Sequence, residues 1–99
     1  MTFDIPSQSR VVGFYGSDAQ AMVHAEELAE LIQAISKMRR VKHRGGDDDQ
    51  AYENLLEEIA DVYICLTQMQ TMYDIPNHAI QDMIYRKCAR QEERIDDAR

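Results

Sequence analysis

The sequence predicts an all-α fold built from three main helices in one small domain. Ala, Glu, Leu, Ile, Met and Gln, which favour helices, dominate the middle of the 99 residues. Apolar residues recur there at helical spacing, and no segment alternates with the two-residue period of a strand. Only 4 Gly and 2 Pro interrupt the pattern, and they separate the helical segments.

The chain divides into an N-terminal arm, residues 1–16, and a helical domain, residues 17–99. The arm carries scattered apolar groups without helical periodicity, and we expect it to dock onto the domain. Ser17 followed by Gln20 matches a capping box, which predicts that the first helix starts at Ser17. The run Arg39–Arg44 is assigned to the loop that follows this helix. The three predicted helices span approximately residues 17–38, residues 49–73, and residue 77 into the 90s.

Charge and composition exclude several functional classes. A net charge of -7 argues against a nucleic-acid partner, because phosphate backbones are held by clustered Lys and Arg. No apolar run approaches the roughly 18 residues that would span a bilayer. The N-terminal residues lack the basic and apolar regions of a secretory signal. Cys65 and Cys88 have no CxxC spacing and fit reduced thiols. We therefore expect a cytoplasmic protein without a membrane partner.

Acidic residues occupy matching positions on the first two predicted helices. Glu27 and Glu30 on the first helix, and Glu58 and Asp61 on the second, are each spaced by three residues and share a helical face. At about 100° per residue, each pair has the same angular offset from its apolar stripe. Two such helices packed side by side bring four carboxylates together, whereas the neighbouring Glu26 and Glu57 turn away.

A cluster of this kind favours a metal site. Like charges in a partly buried site repel and raise one another's pKa values. Hard divalent cations such as Mg²⁺ or Mn²⁺ prefer an all-oxygen ligand set and offset the repulsion. A single acidic pair is more often a solvated helix surface, but two pairs at equal offset favour metal binding.

The two-part motif, Glu26-Glu27-x-x-Glu30 followed by Glu58-x-x-Asp61, resembles the signature of the MazG-like all-α NTP pyrophosphohydrolases. This superfamily includes the dimeric dUTPases, and the resemblance covers roughly residues 17–95. It implies that Glu27, Glu30, Glu58 and Asp61 bind Mg²⁺ and are catalytic. The implied reaction cleaves a nucleoside triphosphate, with ribose or deoxyribose, to the monophosphate and pyrophosphate.

Several polar side chains are candidates for binding the substrate. The family places a basic residue, often with Asn four residues later, in its last helix; Lys87, Gln91 and then Arg94 stand there in this chain, with Gln departing from the commoner Asn. Lys87 and Arg94 interrupt the apolar stripe of that helix, so each needs an anionic partner or must extend its charge into solvent. Lys37 and Gln20 share the acidic face of the first helix. Lys37 is equally suited to complement the helix dipole.

The second predicted helix indicates self-association. At about 25 residues it is roughly 37 Å long, and one neighbouring helix cannot cover all of its apolar side chains. A two-fold pairing in which helices one and two of each chain form a four-helix-bundle core buries them. The resemblance points the same way, and we expect a homodimer or homotetramer.

Two other interpretations compete with the enzyme. A di-iron carboxylate bundle needs Glu-x-x-His pairs, and the near-match His24-x-x-Glu27 runs in the wrong order. A non-catalytic helical adaptor or oligomerisation protein accounts for the amphipathic helices but not for the matched acidic pairs. The preferred base and sugar stay open.

Overall fold

The computed structural model describes residues 3–99, so Met1 and Thr2 of the arm lie outside the described residues. The described residues form four α-helices and no strand, which confirms the all-α prediction. The helices are α1 (Ser9–Tyr15), α2 (Ser17–Arg44), α3 (Asp48–Met72) and α4 (Asn77–Ala98). None of these helices combines the length and the apolar character that crossing a bilayer requires.

The N-terminal arm is more ordered than predicted. Seven of its residues form α1, a helix that buries only Val12 and is too short for a repeating pattern to identify it. The predicted helix start at Ser17 is confirmed, but the capping box itself does not form, because the residue before α2 is Gly16 at φ 87° and no side chain caps that helix. The predicted docking of the arm is confirmed: the rings of Phe3 and Tyr63 on α3 meet edge to face, with centroids 4.7 Å apart.

Helix α2 continues past its predicted end. The run Arg39–Arg44, predicted as loop, is helical, and the helix ends only at Gly45, where φ reaches 87°. No Gly or Pro precedes Gly45 in this stretch, and its Lys and Arg residues are good helix formers. Cations also complement the dipole at a helix C-terminus. The connection to α3 therefore shortens to residues 45–47.

Helices α3 and α4 lie where the sequence predicts them. The carboxylate of Asp47 caps α3 by accepting a hydrogen bond from the Gln50 amide at 3.0 Å. After Met72 the chain turns through Asp74 at φ 54° and enters α4 behind Pro76. The helical end of α4 at Ala98 lies three residues beyond Ile95, where a frayed polar tail was expected.

Helices α2 and α3 form a hairpin whose seam is narrow and partly polar. Small groups are buried in it, namely Ala34, Ala51 and Cys65. At one end Gln68 Oε1 accepts hydrogen bonds from Gln20 Nε2 and His24 Nε2, both at 2.8 Å. His24 is only 3% exposed, although no spacing in the sequence predicts a buried position for it.

Helix α4 has little contact with the rest of its own chain. None of its residues is buried, and its backbone approaches no other helix closely. The radius of gyration is 16.9 Å, compared with about 13 Å for a compact domain of this length. Large apolar side chains on the α2–α3 hairpin are also exposed to solvent, with Ile32 65% exposed and Leu56 50% exposed. The described residues of one chain therefore bury little apolar surface.

We expect this protein to be a dimer or tetramer at low micromolar concentration, measured by light scattering. Ile84→Asp should shift it towards smaller, less stable species, because the substitution places a charge on the apolar face of α4. Tyr85→Asp is the matched control, since Tyr85 is 67% exposed and lies about 100° further round the helix. An active species that stays at 11.5 kDa would contradict the prediction of assembly.

Candidate metal centre

Three carboxylates converge across the α2–α3 seam. Glu27 comes from α2, and Glu58 and Asp61 come from successive turns of α3. One carboxylate oxygen from each lies within 4.8 Å of the others. The arrangement follows from the hairpin, because the three-residue spacing on α3 directs both of its acids to the face that α2 covers.

Two of these carboxylates are only partly satisfied by the protein. Glu27 and Glu58 are half-buried, and the Oε2 atom of each is buried without a hydrogen-bond partner. A buried acceptor without a partner costs free energy, and an ionised one costs more than a neutral one. The site therefore has an unmet requirement for a proton donor or a cation.

The same environment raises the pKa of both glutamates. Desolvation is the largest cause for Glu27, followed by the negative charges of Asp61, Glu30 and Glu58. Desolvation also leads in raising the pKa of Glu58, with the charges of Glu30 and Asp61 next. Glu30 is exposed, yet its charge acts on both buried carboxyls. All four acids that the sequence predicted as ligands therefore belong to one electrostatic cluster.

The donor set fits a hard divalent cation. Its converging atoms are all carboxylate oxygens, which suit Mg²⁺ or Mn²⁺ and not a soft metal. A cation would supply the partner that Glu27 Oε2 and Glu58 Oε2 lack. Glu27, Glu58 and Asp61 are the residues that could hold it, with Glu30 at the rim.

Cys65 lies beside this cluster and is buried. Desolvation raises the pKa of its thiol, and the charges of Glu27 and Asp61 raise it further. A thiol in such surroundings stays protonated and is a poor nucleophile. It fills the seam as a small apolar group, in agreement with the expectation of a reduced thiol.

The acidic cluster opens into a groove of about 450 Å³. Lys37 lines this groove together with Glu30 and Glu58, so the predicted lysine does lie next to the predicted acids. Sequence analysis did not select three other lining residues, Gln33, Arg40 and Asn54. Gln33 lies three residues after Glu30, and Arg40 lies seven residues after Gln33. This spacing places all three on the same side of the helix and was the signal in the sequence that could have identified them.

The structure does not bring the remaining predicted residues to the cluster within one chain. Lys87, Gln91 and Arg94 line a separate groove on α4, and α4 does not pack against the hairpin. Gln20 is buried at the far end of the seam, where its amide donates to Gln68. The substrate-binding roles given to these four residues stay predictions.

No protein-family model matches the chain, and neither a curated protein nor a solved structure matches it. The resemblance to the MazG-like enzymes thus depends on the sequence motif alone.

We expect MgCl₂ to stabilise the wild-type protein against heat. At a concentration 100 times the Kd, ligand binding adds about 2.7 kcal/mol to the free energy of unfolding, which raises the Tm of a domain this size by roughly 10 °C or more. Glu27→Gln should lose most of this gain and melt higher than wild type in EDTA, because one repelling charge is gone. The matched control Glu26→Gln alters an exposed neighbour and should retain the gain. Equal Mg²⁺ responses in the two variants would rule out Glu27 as a ligand.

The raised pKa values also predict the pH dependence of stability without metal. Because the pKa of Glu27 in the folded state lies above its ordinary value of 4.5, the folded protein holds this proton more tightly than the unfolded chain does. The resulting stabilisation is present below that value and is lost as the pH rises through the raised pKa. The Tm of wild type in EDTA should therefore fall relative to that of Glu27→Gln between pH 4.5 and neutrality. A constant difference in Tm across this range would contradict the assignment.

Proposed function

We propose that this protein is a Mg²⁺-dependent nucleoside triphosphate pyrophosphohydrolase of the MazG-like kind. It cleaves an NTP or dNTP to the monophosphate and pyrophosphate. The observation that carries the proposal is the convergence of Glu27, Glu58 and Asp61, with a partnerless buried oxygen on each of the two glutamates. Acids that only form a solvated surface would leave no such oxygens.

The four acidic residues have different roles in the proposed hydrolysis. Bound Mg²⁺ would neutralise phosphate oxygens and lower the pKa of a water molecule. Glu27, Glu58 and Asp61 hold the cation, since their oxygens converge. Glu30 is exposed at the rim and near enough for its charge to act on Glu27 and Glu58. It is the acid best placed to accept the proton of the water that attacks the α-phosphorus, while the electron pair of the broken bond leaves with pyrophosphate.

Lys37 supports a triphosphate substrate at this acidic site. A chain with net charge -7 repels a free polyphosphate, so binding needs cations at the point of contact. Lys37 supplies one in the same groove as Glu30 and Glu58. No ion pair of 4.0 Å or less engages its ammonium group among residues 3–99, which leaves it available to phosphate.

The proposal includes a site shared between copies of the chain. Helix α4 carries Lys87, Gln91 and Arg94 on one face, together with the exposed apolar residues Ile80 and Ile84. The same face therefore offers apolar groups for packing and polar groups for an anion. In a homodimer or homotetramer, α4 of one copy can bring these groups to the nucleotide held by another.

The open position of α4 also favours the second candidate, a non-catalytic helical adaptor. An exposed amphipathic helix is a common way to bind a partner helix. The adaptor has no need for a carboxylate cluster across the seam, and it predicts neither stabilisation by Mg²⁺ nor release of pyrophosphate.

The direct test is a panel of standard and modified NTPs and dNTPs, with pyrophosphate and orthophosphate measured separately. We expect release of pyrophosphate from at least one substrate and no activity in excess EDTA. Glu30→Gln should lower kcat by about 10²-fold or more, the usual loss when a proton acceptor is removed. Asp61→Asn should lower it as well, because it removes a ligand of the cation, and both variants should keep their helical content. Glu26→Gln should retain most of the activity. Orthophosphate as the primary product, or a rate unaffected by EDTA, would refute the proposed reaction.

A further inference from the structure

The acidic groove continues into a basic one. Arg40 lines the groove of the acidic cluster and also lines a second groove of about 360 Å³. The other side chains around this second groove are Ser36, Arg39, His43 and Arg44. A molecule leaving the carboxylates past Lys37 therefore meets Arg40 and then a concave surface with no acidic residue in its lining.

The cations nearest the carboxylates follow a single row on α2. Glu30, Lys37, Arg40 and Arg44 are separated by seven, three and four residues, which keeps them on one face of the helix. At 1.5 Å per residue, Arg40 lies about 15 Å and Arg44 about 21 Å along the axis from Glu30. The row starts at the candidate metal site and reaches well beyond Lys37.

These cations are concentrated in one segment and have almost no anionic partner. Five of the 11 Lys and Arg residues stand between residues 37 and 44 of a chain with net charge -7. In the described part of the chain, the one ion pair joins Lys42 to Asp48 at 3.5 Å. Lys42 is also off the row and outside both grooves. Complementing the helix dipole explains cations in the last turn, but it does not explain a row that extends back to the carboxylates.

We propose that Lys37, Arg40 and Arg44 form a subsite for the distal phosphates of the substrate, which selects nucleotides whose chain is longer than three phosphates. The proposal depends on the function proposed above, because the acidic cluster fixes the α-phosphate at one end of the row. The terminal phosphate of a triphosphate then lies near Lys37, a fourth phosphate comes within reach of Arg40, and only a longer chain extends to Arg44. Arginine suits this role because its planar fork binds phosphate oxygens in pairs.

The chemistry is the same as for the triphosphate. Water adds to the α-phosphorus, the bond to the bridging oxygen breaks, and that oxygen takes the electron pair. A nucleoside tetraphosphate thus gives the monophosphate and tripolyphosphate. Arg40 and Arg44 bind the leaving group and act as specificity-determining residues, with no part in the transfer of the proton.

The test compares kcat/KM for a nucleoside 5′-tetraphosphate and the matching triphosphate, with the base chosen from the substrate panel. Wild type should prefer the tetraphosphate. Arg40→Gln should lower this preference about tenfold, the loss expected for one charge-assisted hydrogen bond, with little change for the triphosphate. Lys42→Gln removes the same charge from the same helix end and is the matched control. A wild type without the preference, or an equal change in Lys42→Gln, would overturn the subsite.

Direct binding separates this subsite from the proposed enzyme activity. Calorimetry with inorganic tripolyphosphate and MgCl₂ should show weaker binding to Arg44→Gln than to Lys42→Gln, whether or not any nucleotide is hydrolysed. If that difference appears while no nucleotide is cleaved, the phosphate subsite stands and the pyrophosphohydrolase assignment fails. If nucleotides are cleaved and the two variants bind tripolyphosphate equally, the subsite is wrong and the enzyme assignment stands.

Discussion

Repulsion among carboxylates in the α2–α3 seam is the constraint on which the rest of this structure depends. A seam between two long helices is normally filled with large apolar side chains, but this one must accommodate Glu27, Glu58 and Asp61 at its centre. The side chains buried next to these half-buried acids are small, such as those of Ala34 and Cys65. The seam therefore contributes less apolar burial than two helices of this length usually provide.

The position of the large apolar residues follows from that constraint. Because the acids occupy the seam, the apolar stripes of α2 and α3 point to the side of the hairpin, where Ile32, Leu56 and Leu66 are exposed. The polar contacts of Gln68 with Gln20 and His24 hold one end of the seam, but hydrogen bonds add little net stability compared with apolar burial. A domain that gives the centre of its hairpin to a charged site must gain apolar burial elsewhere, and association of chains is the simplest source.

The sequence predicted the features that depend on local rules. The bounds of α3 and α4 and the convergence of the acids follow from spacing and turn chemistry within a few residues. Prediction from the sequence failed where contacts between distant segments determine the structure. His24 is buried because Gln68, 44 residues away, accepts its hydrogen bond, and α1 forms because Val12 packs onto the hairpin. The cations before Gly45 were assigned to a loop from their charge, although their helix propensity and the glycine that ends the helix both favour α2. The open position of α4 cannot be predicted from periodicity, because a periodic pattern identifies an apolar face of a helix but not whether the chain covers it.

The charge of the polar side chains changes in order along α2. After the acidic Asp18 in its first turn, α2 carries the amide of Gln20 and the imidazole of His24, then the carboxylates of Glu27 and Glu30, and finally the guanidinium groups before Gly45, where the helix ends. The charge of a nucleotide also changes along its length, with a neutral base at one end and a chain of anionic phosphates at the other. In the function that we propose, a cation held by the carboxylates would fix one phosphate, and the positive charge beyond Glu30 would direct the remaining phosphates of a triphosphate towards Lys37. On this proposal, the same carboxylates that weaken the seam without metal would orient the substrate once a cation is bound, which would be a physical reason for a small domain to retain an unfavourable cluster at its centre.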